Sequence, residues 1–235
     1  MKIVRNAVLL PFVVVAAAAC AVVGGGAPDE FNVAALHLAG SQDPASAVAE
    51  ITAANANMVL LSADRDSAWF AAVAAGAGLE LSGPGTTSGR GLAFMTDLEI
   101  LGDTSIVLDV EGGGSVHMHD ALYKIDDDRN IDLMMVRFDA PDLRAAVRTL
   151  FGYIATDVAA SAAVLLAIDA VSPQAADSAA VLMRATLGSG LECAGVDAAD
   201  AGASVRLLYG PSARLACLNA RALAPGIFAR VQVQS

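Results

Sequence analysis

AVLLAIDAV, Ala163–Val171, is an apolar run broken by one carboxylate, Asp169, near its far end. A short apolar run between two longer segments of helical period reads as a buried strand. Upstream, Leu143, Val147, Leu150, Phe151 and Ile154 recur at helical spacing, which predicts a helix from Pro141 to about Asp157 with proline in its first turn. Downstream, a second helix is expected over Ala175–Leu187. Asp169 then stands at a strand tip between two helical crossovers, where α/β enzymes commonly project polar groups into a cleft.

Working outward, Phe31–Leu38 (FNVAALHL) and Met58–Leu61 read as strands, with helices at Ala45–Ala54 and Ser67–Ala75. Buried strands joined by helices imply parallel pairing at this end of the chain. The middle is different. Gly91–Met95, Leu98–Val110, Ala121–Ile125 and Ile131–Phe138 read as strands joined by glycine-rich or acidic turns, an antiparallel meander. Val205–Tyr209, Leu215–Leu218 and Ile227–Val233 complete the strands. No internal repeat is visible, and two packed sheets covered by helices would bury all of it in one domain.

The N-terminus has a different character. Lys2 and Arg5 precede an apolar run, Ala7–Ala19, ending in small residues before Cys20 and a glycine-rich linker. That is a secretory signal pattern. We expect residues 1–20 to be a lipoprotein-type signal peptide with Cys20 as lipidation site, residues 21–30 a linker and 31–235 the folded domain. Ordinary signal-peptidase cleavage and an uncleaved anchor are the alternatives. Lipidation of Cys20 leaves Cys193 and Cys217, which either close a disulfide in an oxidising compartment or stay reduced as small buried hydrophobes. The expected location is the bacterial cell envelope, with the membrane contacted through the lipid.

The 235 residues are 56% hydrophobic and carry a formal charge of −11, which becomes −13 once Lys2 and Arg5 are removed. Lysine occurs only at Lys2 and Lys124. Such an acidic chain repels phosphate backbones, so nonspecific nucleic-acid binding is disfavoured on charge grounds.

Five segments in order resemble the endonuclease/exonuclease/phosphatase superfamily. FNVAALHL is similar to its opening strand, ANMVLLSAD (Ala56–Asp64) to its "PDvvlLQEv" strand, and SGRGLAFMTDLEIL to its "G.aIlSr.pi" hairpin. VLLAIDAV resembles the "vilaGDFN" strand, and VRLLYGPSARL the "riDyIfvs" strand. The resemblance implies an α+β, four-layer α/β/β/α sandwich of two mostly antiparallel sheets, the deoxyribonuclease I-like fold. It also implies metal-assisted phosphodiester hydrolysis, with Mg or Mn on oxygen ligands and an Asp/His pair activating water.

Residue by residue, most of that machinery is replaced. The family's first metal-binding Asn falls on His37 and its metal-binding Glu on Ala63, with Asp64 and Asp66 nearby. The catalytic His of another strand falls near Arg137. In the "GDFN" strand Asp169 remains, with Ile168 for Gly and Val171 for Asn. The Asp of "riDyI" falls on Arg206, and the closing "SDHyP" motif on the LAPG of Leu223–Gly226.

The expected function is therefore an exported domain of this fold without hydrolytic activity, a pseudoenzyme or binding protein needing no cofactor. One alternative is a divalent-metal-dependent nuclease or phosphatase with a rebuilt site. It would use His37 and Asp169 as catalytic groups, Asp64, Asp66 and Asp169 as ligands of Mg or Mn, and His119 in support. Another is an envelope interaction protein sharing only the fold. Arg137 and Arg206 would pair with Asp64 and Asp169, or bind an anion. His117-Met118-His119-Asp120 lacks the rest of a "HxHxDH" zinc motif. Asp126-Asp127-Asp128 reads as a solvated turn, and Ser82–Gly91 as a loop feeding a hairpin rather than a phosphate cradle.

Overall fold

The computed structural model describes residues 30–38, 43–82, 91–160, 163–187, 192–194, 204–211, 214–223 and 225–234. The expected signal segment with Cys20, the expected linker up to residue 29 and most of Ser82–Gly91 lie outside these residues, while Glu30, expected in the linker, is the first residue of the first strand. Among the described residues, no helix is long and apolar enough to cross a membrane.

The chain opens with β1 (Glu30–Leu38), α1 (Pro44–Ala53), β2 (Met58–Ala63) and α2 (Ser67–Ala77), followed by β3 (Glu80–Ser82), β4 (Gly91–Thr96), β5 (Glu99–Asp109), β6 (Ser115–Lys124) and β7 (Asn130–Asp139). It closes with α3 (Leu143–Ala160), β8 (Val164–Ala170), α4 (Pro173–Leu187), β9 (Glu192–Cys193), β10 (Val205–Gly210), β11 (Leu215–Leu223) and β12 (Gly226–Val233). Two six-stranded sheets result, in the orders β11-β12-β1-β2-β4-β3 and β5-β6-β7-β8-β10-β9. Each contains one parallel pair, β1/β2 or β7/β8, and is otherwise antiparallel.

Three apolar layers follow from the strand alternation. Leu60, Phe94, Met135, Leu165, Leu207 and Val231 fill the space between the sheets. Ile51, Leu61, Trp69 and Phe70 lie between the first sheet and α1/α2, while Met134, Leu150, Leu166 and Met183 lie between the second sheet and α3/α4. β2, β4 and β8 are covered on both faces, so every residue in them is buried. Burying each large aliphatic side chain stabilises by about 1.5–3 kcal/mol. The α/β/β/α sandwich expected from the sequence is the observed fold.

Each crossover helix is started by a local cap. Asp43 accepts from Ser46 N at 2.7 Å and Asp66 from Trp69 N at 2.9 Å. Asp142 accepts from Arg144 N and Ala145 N, and Ser172 Oγ accepts from Ala175 N. These side chains satisfy backbone donors that the first helical turn leaves unpaired. Gly78, at φ 70°, ends α2 in the left-handed region.

Several boundaries differ from the sequence reading. β6 starts at Ser115 rather than Ala121, and β11 continues to Leu223 because its whole length pairs with β12. The short edge strands β3 and β9 are too brief to leave a periodic signal. The Asp126–Arg129 turn is held by Asp126, which accepts from Asp128 N and Arg129 N and pairs with the Arg129 guanidinium. That is a solvated turn, as expected.

Candidate functional site

The carboxyl ends of both parallel pairs meet at one edge of the sandwich, where four βα crossovers leave the sheets. Strand register fixes what is placed there. His37 on β1 is directly beside Ser62 on β2. Opposite, His117 on β6, Arg137 on β7 and Asp169 on β8 form one continuous row. The inward-facing apolar positions give way to polar ones at these ends, producing a cleft lined from both sheets.

Asp169 is the centre of it. The residue is 1% exposed, and a carboxylate so deeply buried needs donors. Ser62 Oγ donates to Oδ2 at 2.7 Å and Ser204 Oγ to Oδ1 at 3.0 Å. His37 Nδ1 donates to Oδ2 at 2.9 Å. That hydrogen bond is the main reason the imidazole pKa lies above 6.5; burial opposes it, and the Asp169 charge adds to it. His37 is therefore biased toward the protonated form, with its side chain 28% exposed.

Arg137 supplies the second cation. It donates from a terminal nitrogen to Asp64 Oδ1 at 2.8 Å and from Nε to Asp139 Oδ1 at 3.4 Å, and its Nε lies 3.9 Å from Asp169 Oδ2. Burial disfavours the charge, but Asp169, Asp139 and Asp64 together outweigh it and raise the guanidinium pKa. Asp139 also lies 3.6 Å from His117 Nε2, which is 3.0 Å from Ser115 Oγ.

Several sequence-derived candidates are placed elsewhere. Arg206 points to the opposite face of the second sheet, where Nε pairs with Asp177 of α4 at 2.5 Å. Its strand neighbours Val205 and Leu207 face the inter-sheet core, so Arg206 must face the helices. It is not in the cleft and does not pair with Asp64 or Asp169. Asp66 is the N-cap of α2, its Oδ1 accepting from Trp69 N at 2.9 Å. His119 is fully buried, stacked on Phe94 at 4.6 Å, with Ser105 Oγ 2.7 Å from Nδ1. Burial lowers its pKa and keeps it neutral within the core.

The Cys217 thiol is half-buried and donates to the Asn219 carbonyl at 3.3 Å. The side chain of Cys193, its proposed partner, lies outside the described residues. Ala63, which aligned with the metal-binding glutamate, faces the helix-side core. The inward position of β2 is Ser62, one residue earlier. Ser62, Ser204 and Asp139 were missed in the sequence because a lone serine or a strand-end aspartate carries no motif. Inward alternation from Leu60 and Met135 was the available signal for Ser62 and Asp139.

The resemblance implies Mg or Mn in this cleft, and the residues present do not fit one. Each oxygen of Asp169 is engaged by protein donors, and the Arg137 guanidinium lies within 4 Å of all three carboxylates. Among the described residues no group of three His, Cys, Asp or Glu is placed to hold a metal ion. A groove of about 690 Å³ between Pro141–Arg144 and Asp177–Leu182 lies on the helical face, away from this cluster.

No protein-family model matches the chain, and no curated protein matches it in sequence. Solved structures do match in fold. An endonuclease/exonuclease/phosphatase from Bacteroides vulgatus aligns with TM-score 0.66 at 14% identity, over 87% of this chain and 99% of that one. An endonuclease/exonuclease/phosphatase family protein from Bacteroides thetaiotaomicron aligns with TM-score 0.70 at 10% identity, over 88% and 98%. TDP2 from D. rerio, in complex with a single-strand DNA product, aligns with TM-score 0.63 at 9% identity, over 88% and 100%. The chain has the deoxyribonuclease I-like fold of these proteins.

Proposed function

We propose that this is an exported, lipid-anchored endonuclease/exonuclease/phosphatase-like protein whose cleft binds rather than hydrolyses. The observation that carries the reading is the engagement of Asp169. Both oxygens of this carboxylate accept from Ser62, Ser204 and His37, so it is committed to holding protein donors rather than a reacting centre. Metal-assisted hydrolysis loses most of its rate when its preorganised set of ligands and proton carriers is dismantled. The Lys2/Arg5, apolar-run and Cys20 pattern supports export and anchoring. The acidic overall charge argues against nucleic acid as the bound partner.

The second reading is a hydrolase with a rebuilt site, favoured by the His37–Asp169 pair. A carboxylate-oriented imidazole is a recurring acid–base device. With its pKa raised, His37 would start as a proton donor rather than as a base.

The test is hydrolysis of DNA and of a generic phosphodiester by the mature protein with Mg²⁺, Mn²⁺ or Ca²⁺, beside an Asp169→Ala control. We expect no turnover above the control. Metal-dependent turnover that disappears in the control overturns the binding-protein reading.

A further inference from the structure

We propose that the Arg137 guanidinium is this cleft's own counter-cation, occupying by covalent attachment the electrostatic place a divalent metal ion would otherwise take. Asp64 leaves the end of β2 in the first sheet, whereas Asp139 and Asp169 come from β7 and β8 in the second. Three like charges from two sheets repel one another at a partly desolvated edge, and something positive must hold them together. Arg137 does so at 2.8, 3.4 and 3.9 Å.

Its side chain is 12% exposed and those of Asp139 and Asp169 are 10% and 1% exposed, while Asp64, at 48%, is the solvent-facing partner. Guanidinium chemistry suits the task. Its planar fork donates in several directions at once, whereas an ammonium is a compact point charge. Because Asp64 follows β2 of one sheet and Asp139 ends β7 of the other, the same group also links the two sheets at this edge.

It follows that deleting the guanidinium leaves Asp64, Asp139 and Asp169 facing one another without the group that now compensates them. This inference rests on the reading that no metal works in the cleft. The two can fail separately. Mn²⁺ binding without turnover sinks the inference and leaves the binding-protein reading, and turnover in the presence of chelator does the reverse.

The experiment uses the mature protein, with Mn²⁺ followed by electron paramagnetic resonance and thermal unfolding recorded in chelator, Mn²⁺ or Ca²⁺. Wild type is expected to bind no Mn²⁺ tighter than about 1 mM and to unfold at the same temperature in all three. Arg137→Gln is expected to lose about 6–20 °C in chelator, as when one partner of a buried pair is removed. In Asp64→Asn/Arg137→Gln, one uncompensated charge is gone, so the double variant should unfold above Arg137→Gln in chelator. Tight Mn²⁺ binding by wild type overturns the proposal. So does an Arg137→Gln protein as stable as wild type in chelator, or a double variant no more stable than the single one.

Discussion

Replacing Asp169 by Asn removes one charge while keeping the side-chain volume, and the effect on His37 can be worked from its surroundings. In the native cleft, the Asp169 hydrogen bond is the largest influence raising the imidazole pKa above 6.5, and the Asp169 charge is another. In Asp169→Asn the charge is gone, and the charge-assisted hydrogen bond gives way to one on a neutral amide, which no longer favours the imidazolium as strongly. Burial and the Arg137 charge, which oppose protonation, remain, against the weaker pull of Asp64. The His37 pKa should therefore cross from above 6.5 to below it.

Stability should change its pH dependence accordingly. With the native, raised pKa, this pair's contribution is fully present below pH 6.5 and is lost as pH rises through the folded value. In the variant the contribution is present above pH 6.5 and is lost as pH falls through the depressed value. At the pH of greatest native advantage, removing one partner of a buried pair costs about 3 kcal/mol, the low end because the amide oxygen still accepts one donor. For a domain of this size that is about 6–12 °C in Tm. Proton NMR titration of His37, with unfolding recorded from pH 5 to 8, tests both parts. A variant His37 titrating at or above the native value would refute the reasoning, whatever happened to Tm.

Two further substitutions probe the frame around the cleft. A Cβ on Gly226 would lie 2.0 Å from the Ala35 carbonyl oxygen, where β12 begins its pairing with β1. Gly226→Ala should push β12 off β1 beside His37, whose N–H donates to the Pro225 carbonyl at 3.2 Å. A cost above about 2 kcal/mol is expected in denaturant unfolding, against the few tenths typical of a tolerated surface change. Asp66→Ala should cost only about 1 kcal/mol through the lost cap on α2 and leave the His37 titration where it was. A displaced His37 pKa in that variant would return Asp66 to the site.

The order of elements was legible because each long segment declares its own period. Leu143, Val147 and Leu150 repeat helically, and Ala163–Ile168 runs apolar between two such segments. The capping residues Asp43, Asp66 and Ser172 agree with those starts. Asp169 and His37 were also legible as a pair of interest, since both fall on strand ends that the family uses. The faces were harder. Arg206 and Ala63 were assigned to the cleft by alignment alone, and a one-residue difference in register turns a strand side chain from one face to the other. Their neighbours' burial places both on the helical side.

What the sequence by itself determined was local: strand and helix periods, helix starts and an apolar N-terminal run. Those properties depend on residues within a turn or two of each other. A pairing of Arg137 with Asp64 and Asp169 was an expectation of the sequence; tertiary structure alone brought Asp139 to the same guanidinium and placed Ser62 and Ser204 on Asp169. Asp64 is 73 residues from Arg137, and Ser62 is 107 from Asp169. No local pattern encodes such partners, because they meet only when two sheets of set register are packed face to face.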